Sequence, residues 1–133
     1  MSHFPAVRLR RSRSTAWSRA LVAETHLAPQ HLIWPVFVTS GTANEEPIGS
    51  LPGVSRWSVD LLSGHVKAAR ALGIGCVALF PNTPRELRTD DGREALNPDN
   101  LMCRAIKAIK DAVPDIGVLT DVALDPTASR NVP

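Results

Sequence analysis

Long apolar runs are missing from this sequence. The longest, Leu32-Ile-Trp-Pro-Val-Phe-Val38, falls far short of the roughly 18 residues that a membrane-spanning helix needs. Residues 1–23 contain no apolar core of the kind a secretory signal carries. Cysteine is scarce: Cys76 and Cys103 are too few for a disulfide framework, which points to a reducing compartment and to buried, inert thiols. Charge of one sign is not in excess, for the net charge is only +2, so nothing overall demands nucleic acid as a partner. Phosphate-binding glycine loops are absent, because Gly73-Ile-Gly75 leads into an apolar strand rather than out of one. The four histidines, His3, His26, His31 and His65, share no metal-ligand spacing. What remains is ordinary: 133 residues with 44% hydrophobic and 21% charged suit one globular domain and exclude extensive disorder.

One local bias stands out. Arg8, Arg10, Arg11, Arg13 and Arg19 all precede the first carboxylate, Glu24. Three readings stay open: an organelle transit peptide, an arm against nucleic-acid phosphates, or an extended arm that packs on a neighbouring subunit. Within it, Ser14 or Thr15 caps a short helix expected to reach about Glu24, with Trp17, Ala20 and Leu21 on its apolar side.

Beyond the break at Ala28-Pro-Gln-His31 the pattern alternates. Leu32–Val38 reads as a strand, with Pro35 as a warning of an edge or bulge. Residues 40–57 read as one long loop, of the kind that is usually functional or disordered. Ser58 caps a helix to about Leu72, whose Val59, Leu62, Val66, Ala69 and Leu72 fall on one face, and Gly73 stops it. Cys76–Phe80 is a continuously apolar strand. After a polar segment over 81–98, Asn97 and Pro98 are expected to open a helix that Pro114 ends, with Leu101, Ala105, Ala108 and Ala112 on one stripe and Met102, Ile106 and Ile109 beside it. Ile116–Val122 is a third strand. Strand, helix, strand, helix, strand means a parallel sheet with right-handed crossovers. A (β/α)8 barrel needs roughly 250 residues, and three parallel strands alone leave both edges bare, so this is expected to be the first part of something larger.

Chemistry concentrates at Thr120-Asp-Val-Ala-Leu-Asp-Pro126, at the carboxyl end of a parallel strand, where α/β folds place their sites. Asp121 and Asp125 either reach a shared ligand or cation, or serve as capping and turn aspartates.

Eight segments resemble the porphobilinogen synthase (5-aminolevulinate dehydratase) family, in its order and spacing. They are Arg8-Leu-Arg-Arg11, Leu32–Val38, Glu46-Pro-Ile48, Leu51-Pro-Gly-Val-Ser-Arg56, Val77-Ala-Leu-Phe-Pro81, Glu94-Ala-Leu-Asn-Pro98, Arg104-Ala-Ile-Lys107 and Thr120–Pro126. The resemblance covers nearly the whole chain but only the first part of the family's. It implies an α/β fold comprising the first three βα units of a (β/α)8 barrel over residues 31–133, behind an N-terminal arm over residues 1–30. It also implies a homo-octamer assembled through that arm. The charge balance and short apolar runs give no nucleic-acid or membrane partner, and the cysteine count together with the family implies a cytoplasmic setting.

The implied reaction condenses two 5-aminolevulinate molecules to porphobilinogen, for haem and other tetrapyrroles. Two lysines from the later part of the barrel form Schiff bases with the substrate ketones. Lys67, Lys107 and Lys110 fall on expected helices and do not take that role. By the same resemblance Asp121 is an active-site aspartate. Zinc-using members carry cysteines where this chain has Ala123 and Asp125. Oxygen donors in place of thiolates imply the magnesium-responsive type, with Asp125 at a ligand position. The chain leaves the family pattern at Thr127–Pro133, where a histidine-bearing lid segment belongs. A truncated product, a split gene or a partial sequence would each give that departure. The 133 residues alone are expected to be inactive, and a non-catalytic partner that docks on full-length subunits is the alternative role.

Overall fold

The computed structural model describes His3 and residues 10–122. Five strands form one sheet: β1 (Ile33–Thr39), β2 (Glu45–Pro47), β3 (Ser55–Ser58), β4 (Cys76–Pro81) and β5 (Gly117–Thr120). Three α-helices accompany it: α1 (Ala16–Leu21), α2 (Val59–Ala71) and α3 (Leu101–Ala112). The strand order is β2-β3-β1-β4-β5, with only the β2–β3 pair antiparallel.

The three expected parallel strands are β1, β4 and β5, and the two intervals hold α2 and α3. The expectation of three strands needs correction to five, because residues 40–57 are not one loop. They contain β2 and most of β3, which are short and polar; β2 pairs with β3 and β3 with the end of β1, and neither carries an apolar run of its own. Asn44 and Ala43 hold the start of this segment in place. The Asn44 N–H donates to Ser58 Oγ at 2.9 Å, and the Ala43 N–H donates to the Asp60 carboxylate at 2.8 Å. Ser58 occupies the N-cap position of α2, yet its hydroxyl oxygen accepts from the Asn44 N–H rather than from a backbone N–H of the helix.

β1 shows what Pro35 costs. Pairing with β4 runs from Ile33 to Val38, whereas pairing with β3 begins only at Phe37. Pro35 therefore sits where β1 has a neighbour on one side alone, which is where a residue without an N–H is tolerated.

The core lies between the sheet and the helices. Val36, Val38, Val77 and Leu79 from the strands meet Leu62 and Val66 of α2 and Leu101, Ala105 and Ile109 of α3, with Ile116 beneath. Burying each Val, Leu or Ile among them contributes roughly 1.5–3 kcal/mol. The apolar stripe expected on α2 is the buried one up to Ala69, while Leu72, as the helix ends, is exposed. On α3 the buried line runs Leu101, Ala105, Ile109 rather than through Ala108 and Ala112. Cys103, about 200° around that helix from both Leu101 and Ala105, is exposed, against the expectation of a buried thiol.

Helix starts also shift. Asn100, not Asn97, caps α3, its side-chain oxygen accepting the Cys103 N–H at 2.8 Å. Asn97 instead makes a side-chain turn with the Asp99 N–H. In the arm, Thr15 and Ser18 form a reciprocal capping pair, and the helix ends at Leu21 rather than Glu24. Its apolar side, Trp17 and Leu21, is exposed, and Ser18 is the residue buried.

Candidate functional site at the carboxyl ends of the strands

Parallel pairing brings the carboxyl ends of β1, β4 and β5 to one end of the sheet. Alternation then sorts the side chains. Val36, Val38, Val77 and Leu79 point to the helices. Ile33 and Phe37 on β1, paired with Cys76 and Phe80 on β4, take the opposite face. Phe37 and Phe80 stack there with ring centroids 5.5 Å apart and planes 29° off parallel. Leu119, paired with Ala78, extends that face onto β5. It is an apolar face open to solvent: Ile33 is 52% exposed, Phe80 44% and Leu119 47%.

Asp121 follows β5 directly and is two residues past Leu119, on the same strand parity at the carboxyl end. The structure thus places the expected aspartate at the end of the sheet where the Phe37–Phe80 stack lies. Asp125, the expected metal ligand, is outside the described residues, as are Ala123 and Thr127–Pro133. Among the described residues, no three or more His, Cys, Asp and Glu side chains group to hold a metal.

Polar groups that sequence reasoning missed gather at the same end. Thr39 Oγ1, buried at the tip of β1, donates to Glu46 Oε2 at 3.4 Å, and Arg56 approaches Glu46 Oε1 at 3.5 Å. Arg56 pairs with Phe37, so it shares the open face. At the exit of β4, the Asn82 N–H donates to the Val38 carbonyl at 2.7 Å. Arg88 folds back on this exit, with Nε donating to the Thr83 carbonyl at 2.9 Å and Nη2 to Asn82 Oδ1 at 3.1 Å. The signal available for these was the polar, glycine- and proline-rich character of the two segments that follow β1 and β4.

Other titratable groups do structural work. The Ser58 hydroxyl first, and the Ala43 N–H second, hold the exposed Asp60 carboxyl below its usual range. Arg93 and Thr89 hold Asp91 well below it. His65 stacks on Trp57 at 4.3 Å, which makes it a packing residue. Trp57 Nε1 is buried with no acceptor among the described residues. The chain's three lysines, Lys67, Lys107 and Lys110, all lie on α2 and α3 as expected, none at a strand end. Lys110 closes α3, its Nζ donating to the Pro114 and Ile116 carbonyls.

Comparison with known proteins settles the ancestry of this arrangement. The family model described as "Delta-aminolevulinic acid dehydratase" matches residues 6–131. The chain belongs to that family. It is 49% identical over 125 residues to the delta-aminolevulinic acid dehydratase of Bradyrhizobium diazoefficiens, covering 94% of this chain and 35% of that one. The Chlamydia pneumoniae protein of the same name is 46% identical over 119 residues, covering 90% and 36%. Among solved structures, the delta-aminolevulinic acid dehydratase (porphobilinogen synthase) of Toxoplasma gondii ME49, in complex with the reaction product porphobilinogen, superposes with a TM-score of 0.85. It shares 44% identity and is matched over 92% of this chain and 35% of that one. The chain thus spans about a third of the length of these relatives. Its β1, β4 and β5 with α2 and α3 are the opening part of a (β/α)8 barrel, behind an N-terminal arm. The open face is the side that such a barrel turns inward.

Proposed function

We propose that this chain supplies the first strands of a porphobilinogen synthase, which condenses two 5-aminolevulinate molecules to porphobilinogen with loss of two waters. The observation that carries the reading is Asp121, placed at the carboxyl end of β5 on the strand parity of the open face. In a (β/α)8 barrel that end holds the chemistry. There the Asp121 carboxylate acts beside the substrate, and the Phe37–Phe80 stack lines the wall under it. The Schiff-base lysines come from later strands, since Lys67, Lys107 and Lys110 are helical. For that reason the 133 residues alone form no porphobilinogen.

The metal of the complete enzyme is magnesium in this reading. Asp125 would hold it, and Ala123 with Asp125 offers no thiolate for zinc. Magnesium supplies fixed positive charge for oxygen ligands. The arm docks on a neighbouring subunit within an octamer, for which the exposed Trp17 and Leu21 are the support. Nucleic acid and membrane have no part in this reading. No helix among the described residues is long and apolar enough to cross a membrane. A cytoplasmic setting accords with the two free thiols.

The test is a chimera in which residues 6–122 replace the matching stretch of the Bradyrhizobium diazoefficiens enzyme. It should form porphobilinogen, and Asp121→Asn within it should lower kcat by about 100-fold or more. A folded, octameric chimera without activity, or an Asp121→Asn variant as active as its parent, would refute the reading. The alternative role, a non-catalytic partner that docks through the same exposed arm, predicts co-purification of the 133-residue chain with a full-length synthase.

A further inference from the structure

The Arg88 guanidinium is half-buried at the exit of β4, and its two hydrogen bonds go to neutral oxygens, the Thr83 carbonyl and Asn82 Oδ1. Among the described residues no carboxylate stands within ion-pair distance of it. Hydrogen bonds from a charged donor are worth about twice those between neutral groups. The two acceptors are consecutive residues, so the planar fork fixes their relative orientation as a single-point donor would not.

The consequence travels inward. Thr83 is only 4% exposed, so loss of Arg88 would leave its carbonyl short of a donor in a place water reaches poorly. Asn82 extends the β1–β4 pairing one step past the strands, through its N–H to the Val38 carbonyl. Its side chain is the one Arg88 grips. Two residues before Asn82, on the same strand, Phe80 stacks on Phe37. Two residues after it, Pro84 starts the turn Arg85–Leu87, whose last carbonyl bond is made by the Arg88 N–H itself. Arg88 thus closes a small ring of contacts, from the turn back to the strand end.

We propose that Arg88 is a positioning residue for the site: it locks the exit of β4 against β1, and through Asn82 it holds the Phe37–Phe80 wall beside Asp121. The inference rests on the proposed synthase reading for its functional half, while its structural half stands on this chain's own hydrogen bonds. Arg88 touches no reacting atom here and is not a catalytic residue.

The test uses the chimera described above, with Arg88→Ala and Arg88→Lys. Amide hydrogen exchange reads the lock directly. In Arg88→Ala, exchange at the Asn82 N–H should speed by about tenfold or more, while Val77 and Leu79, inside the strand, keep their protection. Activity should fall about tenfold, mainly in kcat. Arg88→Lys, which can still reach one of the two oxygens, should recover part of both effects.

Unchanged exchange at Asn82 overturns the proposal. So does a uniform loss of protection along β4, since that would mark Arg88 as a stabilising residue only. Faster exchange at Asn82 with kcat and KM both intact would likewise refute the positioning role. If the parent chimera is folded and octameric but inactive, the synthase reading fails, and the exchange measurement still decides the lock.

Discussion

Phe37 on β1 and Phe80 on β4 stack at 5.5 Å, on the side of the sheet that no helix among the described residues covers. Stacked rings are worth about 0.5–1.5 kcal/mol beyond the area they bury. In a double-mutant cycle with Phe37→Ala and Phe80→Ala in the chimera, urea unfolding should give a coupling of that size. Additive losses would mean that the rings only fill space.

Gly73 is held at φ +93°, and a Cβ there would come within 3.2 Å of Pro29 Cβ. Gly73→Ala therefore meets both backbone strain and a clash with the turn that leads into β1. It should destabilise by about 1–2 kcal/mol. Gly64, inside α2, has nothing within 4 Å of its would-be Cβ. Gly64→Ala should stabilise by about 0.5–1 kcal/mol. Thermal melts of the two variants should move in opposite directions, and a shared direction would contradict the geometry.

Arg70 near the end of α2 grips Asp115, before β5, with Nη2 at 2.6 Å and Nε at 3.0 Å. The Arg70 hydrogen bond is the main cause that holds the Asp115 carboxyl below its ordinary value. A carboxyl depressed on folding adds stability that is present above its unfolded value, near 3.9, and fades as pH falls through the folded one. Asp115→Asn should therefore be less stable than the parent at pH 7, with the gap closing below about pH 4. Because the pair is exposed, salt should shrink that gap as well. A gap independent of pH would place the loss elsewhere.

The order of strands and helices was legible because it is written in local periodicity. Leu62, Val66 and Ala69 recur at helical spacing, and Cys76–Phe80 is apolar without a break. Eight family segments in register then named the barrel from a third of its length. The place of Asp121, at the close of an apolar strand, was legible for the same reason.

What the sequence left open depends on partners far along the chain. β2 and β3 exist because Glu45–Pro47 and Ser55–Ser58 find each other, and because β3 finds the end of β1. No apolar pattern announces such pairing, since its hydrogen bonds are made by backbone. The continuous apolar character of β4 implied cover on both faces, yet the described residues cover only one. Which capping residue wins, Asn100 over Asn97, turns on one side-chain geometry. The grip of Arg88 on Asn82 and Thr83 has the same origin. Local pattern determines the elements and their order in this protein. Only the tertiary structure decides which edges pair and which polar side chains meet at the carboxyl end, because those contacts join residues whose proximity the folded backbone alone creates.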